Sequence, residues 1–330
     1  MNTELEVLRA AVRRRLGDAV EIDNVTIPTV GGSNRTVLFD AVDGTGARRR
    51  LVSRQVTVPA AESPFLPAAH QYRAMQVAVR HGLPVPRPLF DYDAADGMGQ
   101  GFVTEFNEGE SLPKRILRDA GLAGARSRLT GQLAGFLARL PAIDPAEVDF
   151  LEPYVESRDP IEAFRRYFDL YREPHPALEV AFRWLERHRP PPRGRAFLHA
   201  DLRTGNFLVG PDGLVAVLDW ECCHIGAPAE DIAWLSTRSW RFGQLDKPVG
   251  GFGQREDFMA AYRLAGGAAI EREEIRYWEI YGLLRWAIYN MMQAYSHVFS
   301  GRSSVVFAAC GRNTSMIEYD LLMSIAGNYD

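Results

Sequence analysis

The sequence predicts an α+β fold with two lobes: an N-terminal lobe built on an antiparallel sheet with a helix, and a larger, mostly helical C-terminal lobe. Within the first 107 residues, short runs that alternate apolar and polar residues are separated by glycine-containing turns, a pattern typical of strands. From Arg126 onward, apolar residues recur mainly at helical spacing. The boundary is predicted after residue 107, which gives lobes of residues 1–107 and 108–330.

The N-terminal lobe is predicted to begin with an amphipathic helix and to continue into a strand, a glycine-rich loop and a second strand. The loop contains Gly31, Gly32, Ser33 and Asn34. Glycines let backbone amides approach phosphate oxygens closely, so these four residues are predicted to bind a nucleotide, although such a pair of glycines also forms ordinary hairpin turns. The predicted elements are a helix over 3–16, strands over 21–30, 36–42 and 49–55, a helix over 64–81, and strands beginning at 84 and 101.

The C-terminal lobe is predicted from repeated apolar stripes at helical spacing. One stripe, closed by Pro141, is expected to face the core. A long segment near the C-terminus carries aromatic residues on one face, which is more often core than a ligand pocket. The predicted helices cover residues 126–140, 161–172, 177–188 and 273–299, and residues 226–234 are predicted to start another.

A fixed order of polar residues lies between short strand-like runs in this lobe. Asp201 follows His199 by two positions, Asn206 follows Asp201 by five, and Asp219 ends the next apolar run. Single Asp and Asn residues in loops usually form turns, but this combination resembles the catalytic loop and metal-binding Asp of protein kinases. It predicts a bilobal protein-kinase-like fold with Asp231 as a structural brace of the loop.

The chemistry of phosphoryl transfer explains these residue types. A carboxylate must orient the attacking hydroxyl group and accept its proton, and Asp201 is the predicted general base. Mg²⁺ prefers hard oxygen ligands and usually takes only one or two carboxylates, so Asn206 and Asp219 are predicted to hold Mg²⁺ with ATP. The nucleotide's adenine edge is predicted to meet the backbone at Glu105 and Phe106.

Two departures from the kinase pattern lie in the N-terminal lobe. No lysine precedes Lys114, so Arg54 is predicted to contact the phosphates instead, unless it is simply an exposed strand residue. The following helix offers Gln71 where kinases carry a glutamate that pairs with the cation. A Walker A loop is excluded because it requires a lysine.

Composition narrows the functional class further. The net charge of −4 gives no reason to expect nucleic acid as a partner. No apolar run approaches a membrane span, and the N-terminus lacks a signal-peptide core, so a cytoplasmic location is expected. Three cysteines without a C-x-x-C pattern make a disulfide framework or structural zinc site improbable.

The chain resembles the aminoglycoside phosphotransferase/choline kinase-like family, from about Glu21 to beyond Trp286. The motifs that carry the likeness are His199-Ala200-Asp201 with Asn206, then Leu218-Asp219-Trp220-Glu221, then 226–234. Segments 236–243 and 250–258 are similar to one branch, the kinase-like domains associated with acyl-CoA dehydrogenases. The resemblance implies a small-molecule hydroxyl acceptor, and in that branch a hydroxylated acyl compound.

Two other functions fit parts of the sequence. The missing lysine and glutamate suggest a kinase-like protein that binds nucleotide without catalysis. A metal-dependent hydrolase would instead use His199, Asp201 and His224. The acceptor, the choice between ATP and GTP, and the oligomeric state are not encoded in any pattern identified in the sequence.

Overall fold

The computed structural model describes residues 2–28, 34–56, 64–300 and 304–329. The chain divides into two compact units: Met1–Gly109 with Val215–Cys223, and Glu110–Leu214 with His224–Asp330. The first division falls close to the boundary expected after residue 107. The stretch Val215–Cys223 differs from that expectation, because it belongs to the first unit although the sequence placed it in the second lobe. It carries Asp219.

The first unit is built on a five-stranded antiparallel sheet with the order β1-β2-β3-β5-β4. Alternation explains its inner face, since Val37, Phe39 and Ala41 on β2 are buried and neighbouring Leu38 is more exposed. The predicted sheet is confirmed. Its strands are β1 (Glu21–Thr26), β2 (Asn34–Val42), β3 (Arg48–Val56), β4 (Pro88–Asp91) and β5 (Gly101–Glu105).

Two α-helices pack in the described part of the first unit. Helix α1 (Asn2–Leu16) buries Leu8 and Val12 in the same core cluster as Phe39 of the sheet, as its apolar stripe predicted. Helix α2 (Ala68–Arg80) buries Met75 and Val77. It begins after Pro67, four residues later than predicted. Pro67 is the N-cap, with a φ of −55° and an extended ψ of 149°, and the residue before a proline is disfavoured in the helical region.

The second unit is mostly helical, as predicted. The residues of the predicted stripe that Pro141 closes are all buried, namely Leu129, Leu133, Phe136 and Leu137 on α4 and Leu140 at its C-cap. The helices are α3 (Pro113–Arg118), α4 (Ala123–Arg139), α5 (Val155–Arg158), α6 (Pro160–Tyr171), α7 (Pro176–Arg187), α8 (Pro228–Ser236), α9 (Arg255–Leu264), α10 (Arg272–Phe299) and α11 (Val305–Ile325).

Short strands flank the loops that hold the motif residues. Strand β6 (Ala196–Leu198) pairs antiparallel with β9 (His224–Gly226), and Leu198 lies opposite His224. Strands β7 (Phe207–Gly210) and β8 (Gly213–Val217) precede Asp219. None of the helices in the described ranges has the length and apolar character needed to span a bilayer.

Candidate active site

The loop between β6 and β7 holds the predicted catalytic residues of the second unit. It turns at Ala200, whose φ is +60°, a left-handed conformation that costs a residue with a Cβ roughly 1–2 kcal/mol. Asp231 on α8 stabilises this turn, because its two carboxylate oxygens accept the backbone N–H groups of His199 (3.0 Å) and Ala200 (2.6 Å). The structural role predicted for Asp231 is therefore confirmed.

Burial changes the acidity of Asp231. The side chain is fully buried, and desolvation raises its pKa to about 7, while the two backbone N–H groups act in the opposite direction by stabilising the carboxylate. The group that shapes the catalytic loop therefore titrates close to neutral pH.

Asp201 lies directly after this turn, and two nitrogen donors fix its carboxylate. The indole Nε1 of Trp234 donates to Oδ1 (2.9 Å), and Nδ2 of Asn206 donates to Oδ2 (2.5 Å). The Nε of Arg203 is 3.5 Å from Oδ1, and the Arg203 guanidinium lies 4.8 Å from the Trp240 ring centroid. The carboxylate of Asp201 is thus held in one orientation while remaining partly accessible, with 13% of its side chain exposed.

Asn206 is held by the same loop. Its Nδ2 also donates to the backbone oxygen of Asp201 (2.9 Å), and its own N–H bonds the carbonyl of Arg203. The turn between them passes through Gly205 with a φ of +114°, where a side chain would be strained. With the amide nitrogen directed at Asp201, the carbonyl Oδ1 of Asn206 is the atom suited to a hard cation.

A glycine pair supports the loop from the side of α9. Thr204, which is fully buried, donates its hydroxyl to the carbonyl of Gly250 (2.7 Å). Gly250 and Gly251 both have positive φ, and a Cβ on Gly251 would lie 2.6 Å from the carbonyl oxygen of Arg241. Only glycine therefore fits this approach of two backbone segments.

The first unit contains the second half of the predicted site. Asp219 lies two residues after the end of β8 and adopts a left-handed conformation with a φ of +67°. Its Oδ1 accepts a hydrogen bond from Nη2 of Arg54, the predicted phosphate-binding residue on β3. The same Nη2 donates to Oε2 of Glu221 at 2.9 Å. Burial alone would lower the pKa of Arg54, but the charges of Asp219 and Glu221 outweigh it and raise that pKa.

Asn34 and Gln71 have partners within the first unit. Asn34, predicted to bind nucleotide, donates Nδ2 to Oε2 of Glu221 (2.7 Å). Gln71 is buried, and its Nε2 donates a hydrogen bond to the carbonyl of Leu66 (2.7 Å). This bond stabilises the start of α2 and does not involve Arg54.

The remaining predicted nucleotide contacts fall in two groups. Gly31, Gly32 and Ser33 lie outside the described residues. At the predicted adenine position, the N–H of Glu105 donates to the carbonyl of Arg87 and that of Phe106 to the carbonyl of Arg50. Both N–H groups are therefore already hydrogen-bonded within the first unit. An adenine edge at this position would have to bond other backbone groups of residues 105–107.

Sequence reasoning gave no role to Trp234 or Glu221. Trp234 follows Asp231 by three positions on α8, so helical spacing brings both residues towards the catalytic loop, and that spacing was the available signal. Glu221 is separated from Arg54 by 167 positions. Its only sequence signal was an acidic residue close to Asp219, in a stretch assigned to the other lobe.

The hydrolase hypothesis depends on His199 and His224 as metal ligands. His199 is fully buried, and its Nδ1 accepts the N–H of Asp201 (3.2 Å). His224 is buried beside Glu230, with 3.2 Å between Nε2 and Oε2. No group of three or more His, Cys, Asp or Glu side chains arranged to hold a metal occurs in the described part of the chain. Both imidazoles are buried, and each contacts a neighbour in its own unit.

Comparison with known proteins identifies the family of the chain. The model of a family described as "Phosphotransferase enzyme family" matches residues 24–267, most of the chain. The chain belongs to the phosphotransferase enzyme family. Among its relatives, acyl-CoA dehydrogenase family member 11 of Gallus gallus is 31% identical over 188 residues, which cover 52% of this chain and 24% of that protein. This phosphotransferase family member thus matches less than a third of that relative's length.

Solved structures show the same fold. A candidate aminoglycoside phosphotransferase of Ralstonia eutropha has a TM-score of 0.69 and 21% identity, and the match covers 98% of both chains. The GDP complex of aminoglycoside 2'-phosphotransferase-IIIa has a TM-score of 0.66 and 13% identity, covering 96% of this chain and 99% of that one. The kinase-like fold and the family resemblance inferred from the sequence of this phosphotransferase family member are both confirmed.

Proposed function

We propose that this protein is a small-molecule kinase that uses ATP with Mg²⁺ to phosphorylate a hydroxyl group, with Asp201 as the general base. The observation that carries the proposal is the geometry at Asp201, whose two carboxylate oxygens accept hydrogen bonds from Trp234 and Asn206. A base positioned by its neighbours and partly accessible is what a hydroxyl acceptor requires.

The proposed step transfers one phosphoryl group. Asp201 orients the acceptor hydroxyl and accepts its proton while the hydroxyl oxygen forms a bond to the γ-phosphorus. The bond between the γ-phosphorus and the β–γ bridging oxygen breaks, and ADP leaves. Little covalent work falls to the protein in such a step, so positioning and neutralisation of charge dominate. Arg54 is proposed to bind the phosphates, with Gly31, Gly32, Ser33 and Asn34 covering them.

Asn206 and Asp219 are the residues proposed to hold Mg²⁺. Their donors fit the ion, because a carboxylate and an amide carbonyl are both hard oxygen ligands. Bound there, Mg²⁺ would neutralise charge on the phosphate oxygens. Within the first unit, Asp219 is paired with Arg54, so the residue that would bind the metal and the residue that would bind phosphate are already neighbours.

The acceptor is proposed to be a small hydroxylated compound. The acyl-CoA dehydrogenase name of one relative favours a hydroxyacyl compound, whereas the fold is shared with an aminoglycoside phosphotransferase. A panel of hydroxyacyl-CoAs, free hydroxy acids, aminoglycosides and amino alcohols should therefore be incubated with ATP or GTP. Mass spectrometry of the products would identify any acceptor that has gained a phosphoryl group.

The decisive variant is Asp201→Asn, which keeps the shape of the side chain but removes the base. Turnover with the identified acceptor should fall by about 10²–10⁴-fold, with nucleotide affinity within about twofold of wild type. Glu21→Gln, an exposed carboxylate on β1, is the control. Nucleotide binding without transfer to any acceptor would favour the non-catalytic alternative, and transfer that survives Asp201→Asn would exclude Asp201 as the base.

A further inference from the structure

Glu221, which the proposed reaction has not used, forms a partly buried ion pair with Arg54. Its Oε2 accepts hydrogen bonds from Arg54 Nη2 (2.9 Å) and Asn34 Nδ2 (2.7 Å), and only 9% of its side chain is exposed. Its backbone oxygen accepts the N–H of Leu66 (2.8 Å), just before α2. Both its side chain and its backbone are therefore fixed inside the first unit.

A phosphate-binding cation on the third strand needs a carboxylate to hold it. Protein kinases supply it from a helix, as the glutamate that pairs with the strand lysine. Here the helix α2 carries Gln71, which is neutral and bonded to Leu66. A long cationic side chain without an anionic partner would lose its orientation or pay for desolvation, so this chain requires a carboxylate from elsewhere.

We propose, on the basis of the proposed kinase function, that Glu221 is the positioning residue that aims Arg54 at the nucleotide phosphates. The carboxylate comes from the segment that bears Asp219 and not from α2. Asn34, at the end of the glycine-rich loop, adds a second hydrogen bond that keeps the same oxygen of Glu221 in place.

The identity of the cation follows from this arrangement. One Nη of Arg54 bonds both Glu221 and Asp219, while its Nε is buried without a hydrogen-bond partner among the residues that the structure describes. A guanidinium has five donors in a planar fork, so it can keep Glu221 and still offer other N–H groups to a phosphate. A lysine ammonium is a compact charge without that fork, which accounts for arginine at this position.

The two carboxylates that contact Arg54 also connect the proposed phosphate site with the proposed metal site. Glu221 and Asp219 lie two positions apart and share Arg54 as a partner. If the carboxylate of Asp219 bound a metal cation instead of Arg54, Glu221 would still hold the Arg54 guanidinium. Loss of Glu221 should therefore weaken nucleotide binding with or without Mg²⁺, whereas loss of Asp219 should weaken it mainly when Mg²⁺ is present.

Calorimetric titration with ATP, in Mg²⁺ or in excess EDTA, tests this inference on the full chain. Charge-assisted hydrogen bonds predict that Glu221→Gln weakens ATP binding by about tenfold or more in both conditions. Glu21→Gln should bind like wild type, and Asp219→Asn should lose affinity mainly in Mg²⁺. Thermal unfolding of each variant checks that it folds, and the milder Glu221→Asp should bind with intermediate affinity.

A double-mutant cycle decides whether Glu221 acts through Arg54. Arg54→Met should weaken ATP binding at least as much as Glu221→Gln, and the double variant should be no worse than Arg54→Met alone. Additive losses, or an affinity of Glu221→Gln equal to that of Glu21→Gln, would overturn the inference while leaving the kinase function intact. A pair coupled in stability but not in ATP affinity would also overturn it. If the wild type binds neither ATP nor GTP, the proposed function itself fails.

Discussion

Two hydrogen bonds to one carboxylate define the proposed base. Asn206 belongs to the recognised motif, but Trp234 is a separate contribution from α8, and its ring also packs 4.6 Å from the Arg285 guanidinium and 5.2 Å from Trp240. An indole N–H can only donate, so it selects the carboxylate orientation in which Oδ1 faces α8. Trp234 is thus suited to position Asp201 and not to react.

The variant Trp234→Phe removes this donor and retains an aromatic ring. Because a hydrogen bond to a charged group is worth about 1.5–3 kcal/mol, we expect kcat to fall by about 10- to 100-fold while KM for ATP changes little. Trp184→Phe, on α7, is the control for loss of an indole. In ¹H–¹⁵N spectra, the Trp234 indole signal should move towards that of an unbonded indole in Asp201→Ala, which leaves no acceptor at this position. An unmoved signal would contradict the hydrogen bond.

Asp231 gives the free energy of unfolding a pH dependence of predictable sign. Burial raises its pKa from 3.8 to about 7, so between these values the folded chain keeps a proton that the unfolded chain has released. The contribution of Asp231 to stability therefore falls as pH rises from about 4 to about 7, by at most about 1.4 kcal/mol per pH unit, and is level above.

Urea unfolding at several pH values would measure this effect by comparison with Asp231→Asn. The stability of the wild type minus that of the variant should decline with rising pH, since contributions from other carboxylates cancel in the difference. A difference that rises with pH would mean that the backbone N–H groups of His199 and Ala200 dominate over burial.

At the scale of elements, helices and strands were predictable because burial imposes periodicity on the sequence. The helical spacing of apolar residues on α4 and their alternation on β2 both arise because each element faces the core of its own unit. The start of α2 was less predictable, since Pro67 provides a start signal inside an apolar pattern that extends upstream. Contacts between distant positions, such as Arg54 with Glu221 or Asp201 with Trp234, were not predictable because they depend on packing and not on local pattern.

The segment 249–253 shows how an element without regular structure supports the site. Its glycines allow the backbone to accept the hydrogen bond from Thr204 and to pack closely against the backbone of Arg241. Gly251→Ala should destabilise the fold by about 2–4 kcal/mol, because a left-handed alanine and a Cβ too close to a backbone oxygen act together.

The matched variant Gly266→Ala separates the two causes. Gly266 also has a positive φ, but a Cβ there would meet no atom within 4 Å, so only the backbone cost of about 1–2 kcal/mol is expected. Chemical denaturation of both variants would measure the difference. Equal losses at the two positions would show that the close approach to Arg241 is not tight in solution.

At the scale of the whole molecule, the chain enters the second unit at Glu110, returns to the first unit at Val215 and leaves it again at His224. The returning segment carries the carboxylates of Asp219 and Glu221, and its backbone bonds the first unit through Val217 N–H to the carbonyl of Pro84 (2.8 Å). Cutting the chain after residue 109 would therefore leave Arg54 without both anionic partners.

We expect residues 1–109 alone to be less stable than a chain that joins 1–109 to 215–223 through a flexible linker, because the shorter chain must expose or bury an unpaired guanidinium. The direction in which Arg54→Met changes the free energy of unfolding provides the control. In the shorter chain it should raise the free energy of unfolding by removing that charge, whereas in the joined chain it should lower it, since Asp219 and Glu221 then lose their partner. Urea titrations followed by circular dichroism would measure both effects. The same sign in the two chains would mean that the returning segment does not hold Arg54 through these carboxylates.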